Sequence, residues 1–178
     1  MPSFLWLDTE FNSHGGELIS LALAAPDGTH WYGVWPGLIY NGDYHPWVFE
    51  HVIPVLHAHP ANQVGAGWEL RDLRASLREY LNARKDGLTI VADWPDDFVH
   101  LLKVMRGDSY DESWMVPCTM QLIITPAGEP KPAIPHNALS DAIALMEWHM
   151  APCRPQKPRI SRRTATKAQI PAAWELSY

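Results

Sequence analysis

The chain has 178 residues, of which 47% are hydrophobic and 19% charged, and a formal net charge of −6, values that fit one globular domain with a buried core. Its two cysteines, Cys118 and Cys153, exclude a disulfide framework and a Cys-x-x-Cys metal knuckle, and no apolar run is long enough to span a bilayer. Charged Asp8 and Glu10 interrupt the N-terminal apolar stretch, so no signal peptide is expected and a cytoplasmic location is the plain expectation.

Phe4–Phe11 reads as a first strand carrying two carboxylates, Asp8 and Glu10. The strand period of two sets both on one face, with Thr9 and Phe11 on the other. Like charges that close repel, and an apolar strand solvates them poorly. A divalent cation relieves both problems, whereas an exposed edge strand needs none. Glu17–Ala25 reads as a second strand, ended by a Pro26-Asp27-Gly28 turn, and His30–Trp35 as a third, so the chain opens as an antiparallel meander. Pro46–His59 predicts a short helix interrupted by Pro54. Leu70, Leu73, Leu77, Tyr80 and Leu81 recur at three- and four-residue spacings and predict a helix over Glu69–Arg84, ended by Asp86-Gly87. A short apolar strand (Leu88–Ala92), a helix (Asp97–Met105), a further strand within Pro117–Thr125, a Pro/Gly-rich loop and a closing helix (Asn137–Met150) follow. The pattern is mixed α/β. Of nine tryptophans, Trp6, Trp94 and Trp148 adjoin these elements and are expected in the core.

The closing helix is apolar nearly all round and should be buried, with Asp141 among Ala138, Ala144 and Leu145. A lone carboxylate there is costly unless paired or bound to metal, although a first-turn acid also gains from the helix dipole. His136 precedes Asp141 by five residues, about 140° around a single helix. The two converge more easily if His136 lies in the preceding loop, which Pro135 and the N-cap type Asn137 favour. Taken alone, a histidine such as His136 is more often a surface or capping residue. In the middle of the chain Asp93, Asp96 and Asp97 crowd a strand-to-helix junction, where α/β proteins place ligands. Helix capping is the simpler role for two of the three.

Asp8-x-Glu10 on a first strand, an acid after a later strand and His136-x-Ala138-x-x-Asp141-Ala142 on the last helix form an ordered set. The set resembles the DEDDh family of 3′–5′ exonucleases. Its short stand-alone bacterial and phage-type exoribonucleases share an Asp-Thr-Glu-Phe start and a Glu-Leu-Ile-Ser second strand, as residues 8–11 and 17–20 do here. The resemblance covers roughly residues 4–150. It implies an RNase H-like fold: a mixed central sheet, its first three strands antiparallel and later ones parallel, flanked by helices. It also implies hydrolysis of single-stranded RNA, or DNA, from a free 3′ end to nucleoside 5′-monophosphates. By the same resemblance Asp8, Glu10, Asp97 and Asp141 hold two Mg²⁺ or Mn²⁺ ions, and His136 is the general base. Family members place an Asn or similar residue four positions before the metal-binding Asp of the second motif. Asp93 stands there instead, as a supporting or alternative second-motif acid. Thr9, Phe11 and Asn12 are candidates to contact the terminal nucleotide. Family members are often homodimers, which the aromatic surplus here permits.

From Arg154 onward six basic residues face one acid, leaving residues 1–153 at −11. Residues 154–178 are thus a basic tail on an acidic domain, in which Arg159, Arg162 and Arg163 are candidates to hold upstream phosphates. A solvated terminus is the alternative. Two other readings stand beside the nuclease: a nucleic-acid-binding module with the same fold but no activity, and a zinc protein using His45, His51, His57 and His59. The second lacks a recognised structural spacing. An aspartic-type hydrolase is set aside, because Asp8-Thr9-Glu10 lacks the glycine that such a loop needs.

Overall fold

Runs of alternating and continuous apolar residues build a five-stranded sheet at the centre of the computed structural model, which describes residues 3–35, 43–59, 69–107, 113–126 and 128–152. The strands are β1 (Ser3–Phe11), β2 (Leu18–Ala24), β3 (His30–Val34), β4 (Leu88–Ala92) and β5 (Thr119–Leu122), in the spatial order β3-β2-β1-β4-β5. β1 pairs antiparallel with β2, and β2 with β3. β4 joins β1 in parallel, and β5 joins β4 in parallel. The fold is therefore α/β with a mixed sheet, its first three strands antiparallel and the later two parallel, as expected.

Among the described residues four helices cover the sheet: α1 (Pro46–His51), α2 (Leu70–Asn82), α3 (Pro95–Arg106) and α4 (Ala138–Met150), with a 3₁₀ turn at Ile53–Val55 after α1. On one face Leu5, Leu7, Leu21, Leu23 and Ile90 meet Leu73, Leu77 and Leu81 of α2 and Leu101 of α3. Each fully buried leucine contributes roughly 1.5–3 kcal/mol, so this larger cluster supplies most of the apolar stabilisation. On the other face Ile19, Ala22 and Tyr32 meet Val48, Val52 and Leu56 and the small side chains Ala138 and Ala142 of α4. Trp6 and Val91 meet Leu145 beside them.

Element bounds follow local chemistry. Helix α3 starts at Pro95, ahead of the expected Asp97, because proline suits the first helical position. The segment expected as one interrupted helix at 46–59 is an α-helical piece and a 3₁₀ turn containing Pro54. Trp6 is buried, and Trp148 packs partly buried beside it. Trp94 does not belong to the core: it is 56% exposed, in the extended N-cap position of α3, outside the strand whose alternation would have buried it. Among the described residues no helix is long and apolar enough to cross a membrane. Cys153 and the tail, with Arg159, Arg162 and Arg163, lie outside the described residues.

Candidate metal centre

β1 outruns β4. Its last parallel partner is the Trp6–Val91 pair, while its antiparallel pairing with β2 continues to Phe11. The chain leaving β4 fills the space beside the overhang. There Asp97, in the first turn of α3, accepts hydrogen bonds from the Thr9 N–H (3.1 Å) and the Thr9 hydroxyl (2.7 Å) at Oδ1. Asp97 is only 2% exposed, and its Oδ2 has no hydrogen-bond partner. Asp93 Oδ2, in the same junction, accepts from the Thr125 hydroxyl at 3.0 Å.

Strand alternation turns Asp8 and Glu10 to the face covered by α4, which carries Asp141. Oxygens of Asp8, Asp93 and Asp97 lie within 4.8 Å of one another, and so do those of Asp8, Glu10 and Asp141. Asp8 belongs to both groups. Asp93 and Asp97, alternatives in the sequence, thus stand in one group together. Asn137 caps α4 by accepting from the Ser140 N–H at 3.2 Å, and the Asp141 carboxylate accepts from the backbone N–H groups of Asn137 and His136.

Burial and mutual charge shift the titrations of Asp8, Glu10, Asp97 and Asp141 upward. Burial first, then the charges of Asp97, Asp141, Glu10 and Asp93, hold the Asp8 carboxyl well above the usual range. Burial and then the charges of Asp141 and Asp97 push Glu10 up to about 8. Asp97 and Asp141 rise to about 7, again chiefly by burial; the Thr9 hydroxyl pulls Asp97 the other way, as backbone N–H groups do Asp141. Among the described residues no Lys, Arg or His forms an ion pair with any of the five acids. The donor set is all oxygen and strongly anionic, with a buried oxygen left unpartnered on Asp97. Those properties fit hard divalent cations such as Mg²⁺ or Mn²⁺.

Segment 43–56 walls the α4 side of the site, and two asparagines pin it. Asn12 donates to the Asp43 carbonyl and accepts from the His45 N–H, both at 2.8 Å. Asn137 donates to the carbonyls of Val55 (2.9 Å) and Leu56 (3.3 Å), and the Tyr32 hydroxyl donates to Leu56 as well. Trp47, at the start of α1, stacks on His51 with ring centroids 4.6 Å apart and planes 10° from parallel. The His136 ring stands nearly perpendicular to both, 4.9 Å from Trp47 and 6.2 Å from His51. Burial first, then the charge of His51, holds the His136 imidazole below its ordinary pKa, so it is neutral near pH 7.

Asp8, Glu10, Asp93, Asp97 and Asp141 come together from three distant segments, with His136 joined to Asp141 through its backbone. Thr9, Phe11 and Asn12, the candidate nucleotide contacts, each have a partner within the protein. Thr9 is 6% exposed and spends its hydroxyl on Asp97. Asn12 spends its amide on segment 43–45, and Phe11 stacks half-buried on His100 of α3 at 4.8 Å. Trp47 and His51 were not foreseen at the site. Their four-residue spacing on a helix marks them as neighbours, but nothing local shows that they meet His136. A cavity of about 460 Å³, lined by Trp35, Arg74, His100 and Lys103 among others, includes none of the five acids. No protein-family model matches the chain, and no curated protein matches it.

Proposed function

We propose that this protein is a metal-dependent 3′–5′ exonuclease with an RNase H-like fold, acting on single-stranded nucleic acid, with RNA as the expected polymer, and releasing nucleoside 5′-monophosphates. The observation that carries the reading is the pair of carboxylate groups joined through Asp8, unbalanced by any basic side chain among the described residues. Asp8, Asp93 and Asp97 would hold one divalent cation, and Asp8, Glu10 and Asp141 the second. Bound Mg²⁺ or Mn²⁺ would supply Lewis-acid stabilisation of the charge that develops on the phosphodiester as it breaks. Thr9 fixes the Asp97 carboxylate, and the backbone N–H groups at the start of α4 fix Asp141. His136, neutral near pH 7, takes a proton from the attacking water. Water adds to phosphorus, the bond to the 3′-oxygen breaks, that oxygen leaves and is protonated, and the terminal nucleotide departs with a 5′-phosphate. Arg159, Arg162 and Arg163 of the tail would hold upstream phosphates, which makes affinity for longer strands salt-dependent.

Incubating the protein with 5′-labelled RNA and matched DNA single strands, in Mg²⁺, Mn²⁺ or chelator, tests the reading. The expected product is a ladder shortening from the 3′ end, lost in chelator. His136→Ala should slow it by about 10²–10⁴-fold while metal binding persists. Strands bound tightly yet left intact in every metal would assign a binding module without chemistry. No binding and no cleavage would remove nucleic acid from the account.

A further inference from the structure

We infer that Trp47, backed by His51, is a positioning residue for His136: the indole holds the imidazole in the orientation from which it takes the proton. The inference rests on the reading of His136 as general base. Three observations support it. First, His136 has φ of 64°, in the left-handed region that a residue with a side chain adopts only when its surroundings impose it. Second, a histidine used as a base is commonly aimed by a hydrogen bond to its second ring nitrogen. Among the described residues no hydrogen bond aims the His136 ring, whose aromatic contacts are with Trp47 and His51. Third, Trp47 is itself fixed although 45% of it is exposed. Its backbone N–H donates to His45 Nδ1 at 3.3 Å, its backbone carbonyl accepts from His51 Nδ1 at 2.8 Å, and its indole lies on the His51 ring. The apolar core does not account for a tryptophan placed there. Its perpendicular contact with His136, a favourable aromatic geometry, does.

The test is a mutant cycle read by steady-state kinetics on a short 5′-labelled oligonucleotide in Mn²⁺. Trp47→Ala should lower kcat by about 10–100-fold, the cost of misplacing a reacting group by an ångström or so, with KM and calorimetric Mn²⁺ affinity unchanged. Trp47→Phe should restore most of the rate, because a flat ring remains against the imidazole. In a His136→Ala background Trp47→Ala should cost nothing more, since groups that act as a unit are not additive. A rise in KM at unchanged kcat, or the same loss with and without His136, would overturn the inference and make Trp47 a platform for the substrate. Should Trp47→Ala fail to fold, the Phe variant and His51→Ala carry the same cycle, and full additivity with His136→Ala overturns the inference there too. A His136→Ala enzyme as fast as the parent defeats the base assignment itself. That outcome is distinct, because it is read before Trp47 is touched.

Discussion

Asp8 is the residue on which the acidic cluster turns, because it is a member of both carboxylate groups. Replacing it by Asn removes an ionisable group from among its acidic neighbours. With chelator present, Asp8→Asn should raise the thermal midpoint by about 2–4 °C per kcal/mol of repulsion relieved, while cleavage falls by about 10³-fold or more. A lower midpoint in calorimetry would show that the charge is already balanced. Thr9→Val keeps the shape and removes the hydroxyl that donates to Asp97, at a cost of about 1 kcal/mol. The hydroxyl holds the Asp97 pKa down, so its loss raises that pKa further. Mn²⁺ affinity should therefore fall near neutral pH and recover as pH rises, a trend that calorimetric titration at several pH values would reveal. The acids themselves were legible in the sequence. Period two set Asp8 beside Glu10, and an apolar helix marked Asp141 as costly. A four-residue spacing across a strand-to-helix junction left Asp93 and Asp97 as alternatives, and only the folded junction joins them. The duties of Thr9, Asn12 and Trp47 could not be read, because each depends on a partner far along the chain.

Elements were more legible than contacts. Strands β1 to β4 lie within a residue or so of their expected bounds, since each is an apolar run closed by turn residues, and α2 follows its leucine spacing. The segment after β3 was the least legible, because its apolar residues serve a short helix and a 3₁₀ turn that face the same core. Asn137 links that segment to α4, and its two functions can be separated. Asn137→Ala removes both the helix cap and the bonds to Val55 and Leu56, and should cost about 2–3 kcal/mol. Asn137→Asp keeps an acceptor for the Ser140 N–H and loses the amide donors, so it should cost less but still loosen segment 43–56. Urea denaturation ranks the two, and equal losses would mean that the cap matters little.

For the molecule as a whole, the acids tie stability to pH. Glu10 at about 8 and Asp97 and Asp141 at about 7 titrate above the 3.8–4.5 of ordinary carboxyl groups. Across that window the folded protein binds more protons than the unfolded chain, so stability falls as pH rises. The contribution is complete below the ordinary range and is lost by about pH 8. In chelator the thermal midpoint should decline between about pH 5 and pH 8, and Mg²⁺ or Mn²⁺ should raise it most at the upper end. A flat profile in chelator would show that Asp8, Glu10, Asp97 and Asp141 titrate as ordinary carboxyl groups. The division of the sheet into antiparallel and parallel halves was expected, whereas the wall over the site was not. That wall is fastened at both ends, by Asn12 just after the strand bearing Asp8 and Glu10 and by Asn137 just before the helix bearing Asp141. It is therefore no swinging lid: lifting it means breaking the pins that stand next to the acids, so entry gained that way would dismantle the acidic cluster. In the proposed nuclease a strand end would enter without lifting the wall, and amide protons of the wall should exchange in step with those of the first turn of α4.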